Sequence, residues 1–309
     1  MRLPVFNPSS PLAAEITRLF HGVLIMSYVI AALVAFLVGW AIYKYRARPG
    51  AAEPESQRHG HRTLEIAWTA IPLLVLTGVF VMMVLVMRST EPVNKPRQAD
   101  LQILGWQWWW QLRYPNGVIA ANEIHIPTGK RLNVEVLGAD VIHDFWVPEL
   151  APKMDAIPGR DNYIWLEADR PGTYLGTCAE YCGAEHAWMR IRVIAQEPAD
   201  YQRWLAGQAA TPPPPETAEA KRGEQLFRDL TCINCHRIAG TPATATVGPD
   251  LTHVASRETL GAGVMNNTPE NLKRWITNPQ EIKPDVRMPN MHLTDEQAGA
   301  ITAYLETLK

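Results

Sequence analysis

The sequence lacks an excess of charge of either sign, because 29 Lys and Arg residues stand against 31 Asp and Glu residues in a chain of 309. A near-neutral chain has no overall attraction for a polyanion, so nothing here predicts nucleic-acid binding. Cysteine is also scarce, and four residues are too few to hold a disulfide-stapled secreted scaffold of this length. They fall in two close pairs, Cys178 with Cys182 and Cys232 with Cys235, which indicates metal or haem chemistry before structural bridges.

Charged residues are missing altogether from residues 22–43 and 66–87. At a rise of about 1.5 Å per residue each stretch is roughly 30 Å long, which is the thickness of the hydrocarbon core of a bilayer. We therefore predict two transmembrane helices, over about residues 20–43 and 65–88, within an N-terminal region of residues 1–92. Buried core helices of a soluble domain are the alternative, but these rarely run so far without a polar face.

Basic residues crowd the segment that joins the two predicted helices. They are Lys44, Arg46, Arg48, Arg58 and Arg62. The positive-inside rule places this segment in the cytoplasm. The N-terminus and everything after the second helix are then expected on the outer side of the membrane.

Short β-type runs separated by Pro and Gly turns follow the second apolar stretch. The runs are residues 101–104, 132–137, 162–167, 173–177 and 189–194. Runs of this length between turn signals predict strands. About 100 residues of this kind predict a β-sandwich or a small Greek-key barrel over residues 93–200.

A proline-rich segment comes next. Residues 212–215 are four consecutive prolines among Ala, Glu and Thr, which predicts a semi-rigid linker over residues 201–218. Helix signals fill residues 219–309, where Thr294 with Gln297 three residues later predicts a capping box. This C-terminal part is predicted to be a small all-α domain.

The second cysteine pair belongs to Cys232-Ile233-Asn234-Cys235-His236, which is the C-x-x-C-H signature of c-type haem attachment. Two thiols at this spacing can form thioethers with the two vinyl groups of one porphyrin, and the adjacent His can bind the iron. A redox-active dithiol is the alternative interpretation of the same motif.

The surroundings of this motif resemble class I cytochromes c. The resemblance implies that the Pro249 carbonyl orients the proximal His and that Met288, in an Arg-Met-Pro sequence, is the sixth iron ligand. Met291 is a competing candidate three residues away, while His253 and His292 are expected on the surface rather than as ligands. A haem bound by His and Met suits electron transfer rather than substrate binding.

The first cysteine pair is followed closely by His186 and Met189. Two thiolates, an imidazole and a thioether form a soft donor set, which favours copper. Zinc would be satisfied by four ligands without the thioether. A second imidazole is available upstream at His143, and a disulfide between Cys178 and Cys182 is the alternative interpretation.

The whole pattern resembles subunit II of haem-copper cytochrome c oxidases, with a cytochrome c domain fused at the C-terminus as in caa3-type enzymes. That family binds the dinuclear copper centre CuA through C-x-E-x-C-G-x-x-H-x-x-M and an upstream His, and every position is present here. The resemblance implies a cupredoxin-like Greek-key β-barrel. It implies as copper ligands the side chains of His143, Cys178, Cys182, His186 and Met189 and the backbone carbonyl of Glu180.

The same resemblance gives roles to three further groups. The Glu180 side chain is implied to reach a magnesium ion shared with subunit I. Trp108, in a tryptophan-rich segment, is implied to be the point at which electrons enter beside copper, although dense tryptophans also serve packing or anchor at a membrane surface. Glu65 is implied to stand at the cytoplasmic mouth of a proton path, whereas charge alone makes it an ordinary acid at a helix start.

The predicted function is electron transfer from a donor such as a cytochrome c, through haem and copper, to a subunit I that reduces oxygen to water with proton pumping. Subunit III is a further expected partner, and a bacterial inner membrane is the expected location. Other interpretations stay open. They are a quinol oxidase subunit without copper, the equivalent subunit of a copper-containing nitric oxide reductase, and a membrane-tethered electron carrier or copper-handling protein without a fixed enzyme partner.

Overall fold

Two long apolar helices form the N-terminal part of the chain. A computed structural model describes residues 4–46, 60–92 and 98–309, with α1 over Pro11–Tyr45 and α2 over Arg62–Thr90. Both helices are long and apolar enough to cross a membrane, and none of their most apolar stretches is buried within the chain.

Both helices are longer than the uncharged stretches of residues 22–43 and 66–87 that predict them, since each continues into polar residues at its ends. Near the start of α1, for example, Arg18 and Glu15 form an ion pair of 2.8 Å one turn apart. Arg48 and Arg58, two of the five basic residues that predict the orientation, lie outside the described residues.

The next part of the chain forms two five-stranded sheets, which together with a following helix are called the β-domain below. The strands are β1 Leu101–Trp106, β2 Trp109–Arg113, β3 Ile119–Ala121, β4 Glu123–Pro127, β5 Leu132–Gly138, β6 His143–Trp146, β7 Met154–Ala156, β8 Asn162–Leu166, β9 Gly172–Cys178 and β10 Arg190–Gln196. Their orders are β3-β2-β1-β5-β8 and β4-β10-β9-β6-β7. The pairs β1–β5 and β10–β4 are parallel, and the other neighbours are antiparallel.

The two sheets enclose one apolar core. Buried and half-buried residues alternate along β1, as expected for a strand with one face in a core. Trp110 of β2 is fully buried and packs edge to face on Phe145 of β6, in the other sheet, with ring centroids 5.9 Å apart. This aromatic pair therefore joins the sheets at the end where β6 begins.

Ser9 and Ser10, which directly precede α1, pack on the β-domain. The Ser9 N–H donates to the Glu149 carbonyl at 2.8 Å, and the Ser10 hydroxyl donates to the Leu150 carbonyl at 2.5 Å. The same hydroxyl accepts the Ala13 N–H at 3.0 Å, so Ser10 caps the start of α1 while it is tied to the sheet domain.

Helix α3, over Pro198–Ala209, differs from the predicted linker boundary. Tyr201 is buried, and the Trp204 ring stacks on His125 with centroids 4.0 Å apart, so the helix packs on the β-domain. Only residues 210–217 of the predicted linker lie between α3 and the next helix, and they contain no helix or strand. Aromatic packing, which composition does not register, accounts for the difference.

The remaining residues form an all-α domain with one short hairpin, called the helical domain below. Its elements are α4 Ala218–Asp229, β11 Thr259–Leu260, β12 Met265–Asn266, α5 Pro269–Thr277, α6 Pro279–Ile282 and α7 Asp295–Leu305. Helix α7 begins with the predicted capping box of Thr294 and Gln297. Gly223 of α4 lets the backbone of α7 come very close. A Cβ at this position would lie only 1.9 Å from the Ala300 carbonyl oxygen.

The β-domain and the helical domain pack together through the β11–β12 hairpin. The buried Glu123 carboxylate accepts the Glu258 N–H at 3.0 Å, and it accepts both the N–H and the hydroxyl of Thr259 at 2.8 Å. The Arg190 N–H donates to the Ala262 carbonyl at 3.2 Å. Ala262 also packs against the buried Trp109 ring. The buried Glu123 carboxylate of the contact therefore has its hydrogen-bond partners in the opposite domain.

We predict that helix α3 loosens as pH falls because His125 must stay neutral beneath it. Burial lowers the pKa of His125 from its ordinary 6.5 to about 4, although a hydrogen bond with Gln196 opposes this effect. Between pH 6.5 and about pH 4, His125 binds a proton when α3 has moved away but stays neutral when α3 is packed on it. The packing of α3 is therefore strongest above pH 6.5 and weakens towards pH 4. Amide exchange over residues 198–209, corrected for the chemical rate, should report this dependence. The His125→Phe variant keeps a stacking ring, and an equal pH dependence there would contradict the prediction.

Candidate functional site

Sulfur and nitrogen atoms from two segments of the β-domain converge at one end of the sheets. The Cys178 and Cys182 sulfurs lie 3.8 Å apart, His143 Nδ1 lies 4.0 Å from Cys178 Sγ, and His186 Nδ1 lies 3.6 Å from Cys182 Sγ. The Met189 sulfur lies 3.9 Å from Cys182 Sγ. Strand β6 begins at His143 and strand β9 ends at Cys178, so the ends of two paired strands carry the cluster.

The backbone carbonyl oxygen of Glu180 adds one more donor atom to this group of sulfurs and nitrogens. The Glu180 carbonyl oxygen is 3.3 Å from the Cys178 sulfur, while the Glu180 side chain is exposed. The cysteines are free thiols at a separation much longer than a disulfide bond. Two thiols, two imidazoles, a thioether and a carbonyl are a donor set that suits copper, so the residues present fit the copper centre implied by their pattern.

The two thiols are coupled through their hydrogen bond. The bond from Cys182 lowers the pKa of Cys178 to about 3, and the same bond raises the pKa of Cys182. Because a metal binds the thiolate form, the pair presents one ready anionic sulfur at neutral pH.

His143 is held in one orientation. Its Nε2 lies 2.9 Å from Asp140 Oδ1, which leaves Nδ1 directed towards the Cys178 sulfur. The buried Trp110 ring packs on the imidazole with centroids 6.0 Å apart. Gly105 allows the ring to approach, since a Cβ there would lie 2.9 Å from His143 Cδ2. A carboxylate on the far nitrogen of a ligand imidazole is the usual arrangement at metal sites.

Trp108 lies directly beside the segment that joins Cys178 and Cys182. Its indole N–H donates to the Cys182 carbonyl at 3.0 Å, and the Gln107 side-chain amide donates to the same oxygen at 2.7 Å. Trp108 is only 8% exposed. Its ring therefore lies against the backbone of the Cys182 segment from within the folded chain.

The C-x-x-C-H motif begins in a short 3₁₀ turn over Cys232–Asn234 of the helical domain, and both of its thiols are half-buried. His236 Nδ1 donates to the Pro249 carbonyl at 2.8 Å, as the resemblance to class I cytochromes c implies. Gly248 lets the loop lie against the imidazole, since a Cβ there would be 2.7 Å from His236 Cε1. Burial lowers the pKa of His236, so the imidazole is neutral and its Nε2 lone pair is available to iron.

Met288 and Met291 occupy different environments in the same loop. Met288 packs against the core of the helical domain, and its carbonyl accepts the Gln280 side-chain amide at 2.9 Å. Met291 is half-buried and does not belong to that core. The environment of Met288 fits an inward-facing iron ligand better than that of Met291.

His253 is not on the surface, contrary to the expectation from sequence. It is 5% exposed, and its ring nitrogens lie 2.7 Å from the Lys309 carbonyl and 3.1 Å from the Ala210 carbonyl. These contacts tie the end of the helical domain to the residue that follows α3, which is why the ring is covered. His292 is exposed, as expected.

Glu65 lies in the first turn of α2, distant in sequence from both clusters. Its Oε1 accepts the His61 N–H at 3.1 Å, while His61 Nδ1 accepts the Leu64 N–H at 3.3 Å. The pair is a reciprocal cap of the helix start, which is the ordinary role expected of an acid at this position.

Four residues around the sulfur cluster were not predicted. Gln107 and Asp140 contact the cluster residues Cys182 and His143, whereas Lys283 and Arg287 contact the neighbours Trp108 and Gln107. The position of Asp140 three residues before His143 is a signal that could have been used, because ligand imidazoles commonly have a carboxylate partner. No such signal points to Lys283 or Arg287, since these residue types are usually exposed.

Three family models match the chain in order along its length. "Cytochrome C oxidase subunit II, transmembrane domain" matches residues 2–88, "Cytochrome C oxidase subunit II, periplasmic domain" matches residues 117–196, and "Cytochrome c" matches residues 220–309. These families imply the copper centre CuA and a c-type haem. They also fit a membrane protein with its soluble part outside the cell interior.

Whole proteins show the same relationship. Cytochrome c oxidase subunit 2 of Alkalihalophilus pseudofirmus is 37% identical over 99% of this chain and 91% of its own length. The subunit of the same name from Bacillus sp. is 33% identical over 82% of this chain and 76% of its own length. The periplasmic domain of subunit II of cytochrome oxidase from Bradyrhizobium japonicum, a solved structure, is 33% identical over 38% of this chain and 96% of that chain, with a TM-score of 0.36.

The family models and the observed sheets and helices confirm the predicted fold class: two apolar helices, a cupredoxin-like β-domain and a helical cytochrome c domain. Membership in this family also makes the chain part of a haem-copper oxidoreductase complex that contains a subunit I. With family models matching from one end to the other and a relative 37% identical over nearly its full length, the chain belongs to the cytochrome c oxidase subunit II family, in the form that carries a C-terminal cytochrome c domain.

Proposed function

We propose that this chain receives electrons from a donor outside the membrane and delivers them to subunit I, which reduces oxygen to water and pumps protons. The observation that carries the proposal is the convergence of two thiols, two imidazoles and a thioether in the β-domain. The adjacent domain of the same chain carries a C-x-x-C-H motif whose His is held by the Pro249 carbonyl. With Met288 as the second iron ligand and the family's six copper ligands, neither centre would leave a position for a substrate.

The copper ligands are His143, Cys178, the Glu180 carbonyl, Cys182, His186 and Met189. When bound, copper and haem would each take up and release single electrons. The chain's own part is to hold the ligands nearly in place beforehand, so that little rearrangement accompanies the change of charge. The fully buried His143 and Met189 and the nearly buried thiols keep water away from this cluster.

A haem would be held by thioethers from Cys232 and Cys235, and His236 and Met288 would supply the nitrogen and sulfur that bind its iron. The hydrogen bond to the Pro249 carbonyl fixes the imidazole of His236 with Nε2 free. A Met thioether as the second protein ligand would favour the reduced iron and so raise the reduction potential. This combination suits a group that accepts electrons from a donor cytochrome.

Three other residues have proposed roles that rest on the family. Trp108 is the point at which electrons enter the copper site, supported by its hydrogen bond to the Cys182 carbonyl. The exposed Glu180 side chain is available to a magnesium ion shared with subunit I. Glu65 stands at the entrance of a proton path, at the end of α2 that we assign to the cytoplasmic side.

The proposed location is a bacterial inner membrane, with the N-terminus and both soluble domains on the periplasmic side. The described basic residues near the inner ends of the helices, Lys44, Arg46 and Arg62, support this orientation. Subunit I, subunit III and a donor cytochrome are the proposed partners. The lipid bilayer surrounds α1 and α2.

Purification from membranes tests the function. We expect a stable complex with a polytopic haem-copper subunit that consumes oxygen when a reduced cytochrome c is supplied. A lone chain would support a membrane-tethered carrier instead, and activity with nitric oxide but not oxygen would support a nitric oxide reductase. Absence of copper in the pure complex would point to a quinol oxidase subunit.

We predict that His186→Asn abolishes the copper signal and leaves the haem spectrum intact, because His186 belongs to one ligand set and not the other. Asp140→Asn should weaken copper binding by about 10–100-fold, since it removes the carboxylate that orients His143. Copper content per haem and the electron paramagnetic resonance spectrum measure both effects.

His292→Asn, at an exposed His, is the matched control for these two variants. Loss of copper in His292→Asn as well would refute the assignment of His186.

We predict that Met288→Ala changes the haem while Met291→Ala does not, because Met288 alone packs in the core beside the haem motif. The oxidised haem of Met288→Ala should shift to a high-spin spectrum. Its midpoint potential should fall by a sizeable part of the roughly 0.8 V range that axial ligands cover. Equal shifts in the two variants, or a shift with Met291→Ala alone, would overturn the assignment.

A further inference from the structure

One lysine of the cytochrome c domain is buried at the copper site of the β-domain. Lys283 is 2% exposed, and its ammonium donates to the Trp108 carbonyl at 3.0 Å, to the Trp188 carbonyl at 3.2 Å and to the Gly261 carbonyl at 3.3 Å. A lysine ammonium has three N–H donors, so every donor has an acceptor. Full burial of an ammonium is rare and needs such compensation.

The three acceptors belong to the segments that matter for electron transfer. Trp108 is the residue at which electrons are proposed to enter, and Trp188 precedes the copper ligand Met189. Gly261 lies in the tip of the β11–β12 hairpin of the cytochrome c domain. One side chain therefore ties the hairpin to both sides of the copper site.

A second side chain from the same loop reaches the copper ligands through their hydrogen-bond partners. The Arg287 guanidinium donates to the Gln107 side-chain oxygen and lies 3.6 Å from Asp140. Gln107 donates in turn to the Cys182 carbonyl at 2.7 Å, and Asp140 contacts His143 Nε2 at 2.9 Å. Arg287 directly precedes Met288, so one short loop carries the haem ligand and both contacts.

A buried carboxylate anchors the opposite side of the hairpin. Glu123 of the β-domain accepts three hydrogen bonds from Glu258 and Thr259, as described above. The contact thus includes a buried cation from the cytochrome c domain, Lys283, and a buried carboxylate from the β-domain, Glu123. Both must lose their partners if the domains separate, and this opposes a loosely tethered, freely moving arrangement.

We propose that Lys283 and Arg287 are positioning residues that fix the Met288 loop against the copper-site residues, so that electrons cross a permanent contact between the two domains of this chain. The proposal rests on the proposed function and deepens it. The linker of residues 210–217 then serves to connect the domains, while the buried contacts set their geometry.

The test uses the purified complex with Lys283→Met, which keeps an apolar stem but removes the three donors. Lys273→Met is the matched control, because Lys273 bonds Asp295 within the cytochrome c domain. Arg287→Gln is a second variant at a mostly exposed side chain, so it should fold even if Lys283→Met does not.

The first readout is amide exchange, which needs no electron transfer. The Thr259 and Arg190 N–H groups bond across the contact, to Glu123 and Ala262. With Lys283→Met their exchange should rise about tenfold or more, while core amides within each domain stay protected. Unchanged protection at both amides would overturn the proposal.

The second readout is the rate of electron transfer from haem to copper after rapid reduction of the haem. We expect a fall of about tenfold or more in Lys283→Met and a smaller fall in Arg287→Gln, with both midpoint potentials unchanged. Faster exchange with an unchanged transfer rate would overturn the positioning role. A wild-type complex that holds both haem and copper but passes no electron between them would overturn the proposed function itself. This outcome differs from an unchanged transfer rate in the variants, which overturns only the positioning role.

Discussion

Two buried thiols held 3.8 Å apart require a chain that turns back on itself within four residues, and the surrounding structure is arranged around that turn. Gly183 follows the second thiol with a φ of 116°, a conformation that disfavours other residues. A Cβ there would lie 3.0 Å from the Trp108 ring, so the same glycine also admits the indole. Gly183 therefore allows both the turn that brings the two thiols together and the close packing of Trp108 on that turn.

The strands around the turn supply rigidity that a loop alone could not. Phe145 pairs with Cys178 across β6 and β9, and Trp110 packs on both Phe145 and His143 from the other sheet. Ligands that begin or end strands are positioned by the sheet hydrogen bonds and by the core at once. Such preorganisation limits the movement that accompanies a change of charge at the metal.

The sequence predicts best those features that rest on local chemistry. The spacing of the two cysteine motifs anticipates the convergence of Cys178, Cys182 and His186, and the runs of uncharged residues anticipate both long helices. Short strands such as β3 and β7 were not predicted, because three residues give no readable alternation. The burial of His253, the docking of α3 and the position of Lys283 all depend on partners far along the chain. Local patterns carry no information about such partners.

The saturated ammonium of Lys283 also bears on how the protein responds to its ionic surroundings. Exposed charge pairs between separate proteins are screened by dissolved salt, and the encounter rates that depend on them fall as ionic strength rises. A cation that is 2% exposed and bonded to three carbonyl oxygens has no contact with the counterions that cause this screening. In the proposed relay, this anchor between the two domains would therefore be insensitive to salinity outside the membrane, while the arrival of the external donor would remain subject to it.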